Sequence, residues 1–354
     1  MTFSVRSVMV AQESLTSLEI CAGAGGMALG LESAGFAPVA LVERDAKTCR
    51  TLSTNRPHWN VIQASLEEFE PEDHSEVYDV DLMSAGMPRI KSAATVKRPE
   101  DRAERELFRC ALYLVGPVQP RAVLFDNVPE MVQSDAFAAE REEIRKELEH
   151  LGYRLHWRVL NAKDFGVPQD REHGLMVALK ERYADDFAWP ESAPEALAVG
   201  DVLHASMRTR GWAHADRWRA RAQRFAPTLV GGSDRRGGAD LGLPGSKAIW
   251  RSIGINGNTV ANADAQQDRK GRSTPSVQWD LSGKGWGLDM EPEDMPALTV
   301  AQAALVQGFP DTWRIQGLKT HAYRQVGQAV PPPLAAAVGR QIARALRGAG
   351  VTED

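Results

Sequence analysis

The chain has 354 residues, 43% hydrophobic and 25% charged, enough for one large domain plus a smaller one around a substantial core. Its net charge of −5 argues against bulk, nonspecific polyanion binding while leaving room for a local basic groove. Three cysteines without CxxC spacing give neither a zinc pattern nor a disulfide framework, and no apolar run approaches membrane-spanning length, so the expectation is a metal-free chain of a reducing cytoplasm with no membrane partner.

Residues 1–14 lack the charged-then-apolar plan of a secretory signal and read as a loose tail. An apolar run from Leu15 then feeds Glu19-Ile20-Cys21-Ala22-Gly23-Ala24-Gly25-Gly26-Met27, which opens into helical spacing at Met27, Leu29, Leu31 and Ala34. A strand, a glycine turn and a helix start make an anchor for a nucleotide-like cofactor, because the glycines admit the ligand and the helix start offers free N–H groups. The same pattern also serves plain α/β packing. Glu43 strengthens the cofactor reading: it ends the next apolar run, 38–42, where a carboxylate can accept bonds from ribose hydroxyls. Its other reading is a solvated strand end.

A helix over 45–55 stops before Pro57, and a short strand follows near 60–63. After an acidic loop, the strand 80–83 runs into Ser84-Ala85-Gly86-Met87-Pro88-Arg89-Ile90-Lys91-Ser92. Residues 101–114 alternate charge and apolar groups at helical spacing, 122–125 form a buried-type strand ending in Asp126-Asn127-Val128-Pro129, and 136–151 form an amphipathic helix. Strands at 153–160 and 174–179 flank Phe165-Gly166-Val167-Pro168-Gln169-Asp170-Arg171-Glu172-His173. This alternation predicts a parallel, doubly wound sheet with ligands outside the carboxyl ends of its strands, the edge shared by Gly23, Glu43, Arg89 and Asp126.

Composition shifts near Trp189-Pro190. From there to about Pro296 the chain is rich in Gly, Arg and Trp with little periodicity, which predicts a small irregular domain. Its basic loops carry Arg208, Arg210, Arg235 and Arg236, suited to phosphate contacts; a solvated lid with scattered charges is the other reading. Helical spacing returns at 298–307, and an amphipathic helix closes the chain to about 346. The expected domains are 15–189, 190–296 and a return segment 297–354.

With these stretches in this order, the chain resembles the bacterial cytosine-C5 DNA methyltransferases from about residue 17 to 346. Ala22-Gly23-Ala24-Gly25-Gly26 resembles that family's S-adenosylmethionine loop, with Glu43 as its ribose acid. Asp126-Asn127-Val128 is similar to its Glu-Asn-Val motif, and Gly166-Val167-Pro168-Gln169-Asp170-Arg171-Glu172-His173 to its Gly-Val-Pro-Gln-x-Arg-x-Arg motif. Gln307-Gly308-Phe309-Pro310-Asp311 and the stretch from Tyr323 to Pro332 are similar to its closing motifs. The resemblance implies a Rossmann-like α/β methyltransferase fold, with 190–296 as target-recognition domain and duplex DNA as partner. It also implies S-adenosylmethionine as cofactor, held by Cys21, Gly23, Gly25, Gly26, Glu43, Ser65, Gln328 and Val330.

Departures cluster at the chemistry. Where the family has a nucleophilic cysteine after proline, Pro88 is followed by Arg89, and arginine stays protonated with no lone pair to offer. Asp126 is one methylene shorter than the family's glutamate, and His173 replaces the second arginine, which in the family contacts the flipped base. Cys21 and Ser65 stand for a phenylalanine and an aspartate, which weakens the implied hold on the cofactor, and Gln328 stands for an asparagine. Cys49 and Cys110 read as structural, and Cys21 as facing the cofactor. With Arg89, Asp126, Arg171 and His173 as the catalytic-type set, the expectation is a pseudo-enzyme that keeps DNA or a protein partner, such as an active methyltransferase. The alternatives are direct methyl transfer to a heteroatom and a cofactor sensor. A guanidinium in a concave site seeks a carboxylate, so an Arg89–Asp126 ion pair filling the base position is also expected, the other reading being an Arg89 swung out to solvent on a mobile loop.

Overall fold

The computed structural model describes residues 14–90, 99–193, 195–208, 215–231, 238–262 and 295–348. The first half alternates strands and helices: β1 (Leu15–Ile20), α1 (Gly26–Ser33), β2 (Phe36–Glu43), α2 (Ala46–Asn55), β3 (Val61–Gln63), β4 (Leu82–Gly86), α3 (Pro99–Val118) and β5 (Ala122–Asn127). Then come α4 (Pro129–Gln133), α5 (Ala138–His150), β6 (Tyr153–Asn161), β7 (Gln169–Asp170), β8 (Glu172–Lys180) and α6 (Glu181–Ala184). The expected elements are present, and Asp45 caps α2 by accepting from the backbone N–H groups of Lys47 and Thr48.

Seven strands form one sheet in the order β3-β2-β1-β4-β5-β8-β6. The first five run parallel, but β8 is antiparallel to both β5 and β6, so the expectation of a parallel sheet needs correcting. The cause is local: β6 connects to β8 through a single helical turn at 162–165 and β7, with no crossover helix to carry the chain back.

Alternation along the strands divides the core. Leu18 and Ile20 of β1 join Met83, Val123 and Phe125 under α3 and α5, whereas Leu15, Leu82 and Leu124 pack on the opposite face with α1 and the last helix, α12 (Pro332–Gly348). Helices α1 and α12 approach closely because Gly30 and Gly339 carry no side chain; a methyl on Gly30 would lie 2.4 Å from the Pro332 carbonyl oxygen. The C-terminus thus returns beside the glycine turn.

Among its described residues, the segment expected to be irregular contains three short helices, α7 (Val199–Arg208), α8 (Ala215–Arg221) and α9 (Pro244–Ser252), and the two-residue β9 (Ala226–Pro227). Trp218 and Trp250 are fully buried there, and the Trp218 indole donates to the Ile253 carbonyl at 2.8 Å. Their cluster is continuous with α10 (Val300–Val306) and α11 (Lys319–Gln328).

Gly26 tests how tightly this return is packed. An added methyl would meet the Val330 carbonyl oxygen at 2.1 Å, so Gly26→Ala should lower the unfolding free energy by about 3 kcal/mol. Gly152→Ala meets open space and suffers only from a φ of 81°, so it should cost about 1 kcal/mol. Urea unfolding of both variants measures the contrast.

Candidate active site

The parallel strands deliver the first half of the site. After β1 the backbone turns through Cys21 and Gly23, both at φ 54°, and Gly25 at φ 80° before α1 begins. Glu43, at the end of β2, ties the turn down: its two carboxylate oxygens accept from the N–H of Gly23 at 2.9 Å and of Asp45 at 2.8 Å. The three glycines divide their work. Around Gly23 a side chain would meet only the Cys21 carbonyl, at 3.9 Å, whereas at Gly25 it would strike Leu52 and at Gly26 the Val330 backbone. Gly23 leaves open space, and the other two permit packing. Val330 is buried, Gln328 is exposed at the end of α11, and the Ser65 hydroxyl donates to Glu68 at 2.9 Å.

Beneath this turn lie two polar atoms that sequence reasoning missed. Glu19 and Ser84 face each other in register on β1 and β4, both buried, and Glu19 Oε2 and Ser84 Oγ have no hydrogen-bond partner among the described residues. Burial raises the Glu19 carboxyl well above its ordinary value. The signal was present: an acidic residue inside the otherwise apolar strand end Leu18-Glu19-Ile20. Open space at Gly23, a carboxylate at the end of β2 and orphaned polar atoms below fit a polar, hydroxyl-bearing cofactor.

The second half is built where β8 pairs with β5. Asn127 grips the loop after β4 from both sides: its Oδ1 accepts from the Ile90 N–H and its Nδ2 donates to the Pro88 carbonyl, each at 3.2 Å. Ile90 is thereby turned into the core and Arg89 out to solvent. Asp126 and His173 meet instead, with His173 Nδ1 2.8 Å from Asp126 Oδ1 and both residues buried. The expected Arg89–Asp126 ion pair is not formed. His173 reaches Asp126 from the adjacent strand, and the clamped loop leaves the guanidinium hydrated, avoiding its desolvation. Arg89 still acts through its charge, which lowers the pKa of both Arg171 and His173 after the larger effect of burial.

Arg171 has a tie of its own. Its buried guanidinium, brought down to about 10 by burial and then by Arg89, donates to the carbonyls of Leu229 and Gly327 at 3.2 and 2.8 Å. Gln169 accepts from the Leu229 N–H and donates to Gln307, both at 2.7 Å. One backbone residue of the second segment is therefore held by two side chains of the Gln-x-Arg motif. Of the expected DNA contacts, Arg208 is exposed in the last turn of α7, and Arg210, Arg235 and Arg236 lie outside the described residues. The three thiols are poor nucleophiles: burial, then Glu43, pushes Cys21 up to about 12 and Cys49 to about 11, and Cys110 is also raised, chiefly by burial.

A family model for C-5 cytosine-specific DNA methylases matches residues 15–344. Type II methyltransferase M.NgoMIV of Neisseria gonorrhoeae is 38% identical over 336 residues, covering 94% of this chain and 98% of that protein. Type II methyltransferase M.NaeI of Lentzea aerocolonigenes is 37% identical over 343 residues, covering 97% and 78%. Among solved structures, a mutant of Spodoptera frugiperda DNMT2 superposes with a TM-score of 0.60 at 13% identity, covering 93% of this chain and all of that one. S. pombe Dnmt2 gives 0.58 at 16% identity, covering 94% and 99%. At such identity the two structures speak to the fold alone.

The buried imidazole makes stability depend on pH. Burial holds His173 below its ordinary pKa of 6.5, so between the folded and unfolded values the unfolded chain binds more protons. Stability should therefore fall as pH drops below about 6.5 and recover as it rises. The half-buried His156 shifts in the same direction, so the comparison is with His173→Gln. Chemical denaturation from pH 7.5 to 5.5, values of about one unit either side of that pKa, should show a shallower slope in the variant.

Proposed function

This chain belongs to the C-5 cytosine-specific DNA methylases, and within that family we propose that it is a DNA-binding member that has lost C5 transfer. The observation that carries the reading is the Asn127 clamp, which holds the Pro88–Ile90 backbone firmly while the side chain it presents is a guanidinium. C5 of cytosine is a weak carbon nucleophile and is activated by addition of a nucleophile to C6. Arg89 has no lone pair for that addition, and burial raises the pKa of all three thiols, which lowers their thiolate fraction. Asp126, engaged by His173, has one carboxylate oxygen committed away from a base edge.

The family implies dependence on S-adenosylmethionine in general, and Gly23, Glu43, Glu19 and Ser84 are the residues we assign to hold it. When bound, that cofactor supplies an electrophilic methyl group. Ser65 spends its hydroxyl on Glu68, which supports a weakened grip on the adenine end. We assign 15–189 and 297–354 to the methyltransferase domain and 190–296 to target recognition, with Arg208, Arg210, Arg235 and Arg236 on phosphates. An active methyltransferase is the protein partner that fits such a role. A second reading, direct transfer to a heteroatom, draws support from relatives named as type II methyltransferases and from the imidazole–carboxylate pair, which suits proton removal.

Duplex DNA carrying 5-fluorocytosine, incubated with protein and S-adenosylmethionine, should give no denaturant-stable adduct; an adduct would overturn the proposal. Arg89→Cys alone should restore little methyl transfer, because His173 still holds Asp126. Calorimetric titration with S-adenosylmethionine, with and without duplex, separates a DNA-binding protein from a cofactor sensor. DNA affinity should fall steeply with salt, and removing the charges at Arg235 and Arg236 should flatten the log–log slope by about one unit each.

A further inference from the structure

A cavity of about 730 Å³ opens between α12 and residues 188–193, a volume in the range of small-molecule sites. None of Gly23, Glu43, Asp126, Arg171 and His173 lines it, so it is separate from the cofactor turn and the base position. Its α12 wall is a single helical stripe from Pro333 to Arg344, at spacings of three and four, running roughly 16 Å along the axis. The other wall is the irregular stretch after α6, and it is held at both ends. Phe187 is buried with Trp189 edge-on to it at 5.2 Å, and the Ala193 N–H donates to the Asp164 carbonyl at 2.7 Å. On α12 the lining includes Ala336 and Ala337, whose single methyl groups leave the gap unfilled.

The polar part of the lining is cationic. Arg340 and Arg344 stand one turn apart, both exposed, and neither has a hydrogen-bond or ion-pair partner among the described residues. Like charges at that spacing repel, and an anion held between them relieves the repulsion. Glu191 is the one acid lining the cavity among the described residues, and it pairs with neither arginine. One guanidinium fork takes up both oxygens of a carboxylate, so two forks a turn apart match a group with three oxygens to share, a terminal phosphate. The apolar part of the lining is ring-shaped: half-buried Trp189, Phe165 and Pro333 offer faces for a flat group. We propose that this cavity binds a phosphate monoester of nucleotide size, with Arg340 and Arg344 on the phosphate and Trp189 against the ring. The site is independent of the reading given to Arg89, Asp126 and His173, and it involves no covalent step.

The test is calorimetric titration of the full-length protein with adenosine monophosphate, adenosine and inorganic phosphate, each in the presence of saturating S-adenosylmethionine to exclude the cofactor cleft. Adenosine monophosphate should bind about ten-fold or more tighter than either adenosine or inorganic phosphate, since each lacks one half of the recognition. The double variant Arg340→Ala/Arg344→Ala should lose that affinity about ten-fold or more, and because both side chains are exposed the fold should survive. Arg340→Lys/Arg344→Lys keeps the charge without the forks and should bind more weakly than the unaltered protein. In ¹⁵N NMR the Trp189 indole N–H resonance, identified by its loss in Trp189→Phe, should shift with adenosine monophosphate and not with inorganic phosphate. No binding of adenosine monophosphate, or binding untouched by the alanine substitutions, would overturn the proposal. Equal affinity for inorganic phosphate would reduce the site to a bare anion contact and overturn it too. Displacement of adenosine monophosphate by a duplex oligonucleotide would assign the two arginines to DNA instead, and would likewise overturn it.

Discussion

The bond between Asp126 and His173 is the contact on which the second half of the site depends. It exists because β8 runs antiparallel beside β5, which sets the residues before Gly174 against the residues that end β5. The same pairing positions Asn127, whose amide fixes the loop after β4, and lets Arg171 and Gln169 reach Leu229. A buried carboxylate without a partner would cost several kcal/mol, and the imidazole of His173 is the partner Asp126 finds. The imidazole satisfies Asp126 through Nδ1, while its buried Nε2 has no hydrogen-bond partner among the described residues.

The scaffold around these residues is closely packed. Glu43 holds the glycine turn, Val330 packs its carbonyl against Gly26, and α12 closes on α1 through Gly30 and Gly339. Gly327 meets Gly231 so closely that a methyl on it would lie 2.3 Å from the Gly231 nitrogen, which joins the second segment to α11 backbone to backbone. Such contacts tolerate few substitutions. This closely packed frame surrounds Arg89, Asp126 and His173, the residues on which the proposed loss of C5 transfer rests.

Much of this was legible in the sequence. The strand, glycine turn and helix around Gly23, the acid at the end of β2, and the order of the motifs are local patterns, and local patterns survive translation into one dimension. Asn127 was visible as a motif, but its grip on Pro88 and Ile90 spans 37 to 39 positions and appears only once β4 and β5 lie side by side. The partner of Asp126 is not legible for the same reason: the chemical argument points to the Arg89 guanidinium, whereas strand pairing brings His173 to the carboxylate. The antiparallel β8 was available to a stricter reading, since no helical stretch separates β6 from β8. Helices α7 to α9 are hard to read from sequence because each has only seven to ten residues, too few for helical spacing to stand out from the Gly- and Arg-rich stretches around them.

The most direct measurement is nucleoside analysis of DNA exposed to the protein. DNA from a host without cytosine methylation, incubated with the full-length chain and isotopically methyl-labelled S-adenosylmethionine, is digested to nucleosides and separated by mass spectrometry. The account predicts no labelled 5-methyldeoxycytidine above the level of a protein-free control. Label appearing in 5-methyldeoxycytidine, in amounts that grow with protein and time, would contradict it.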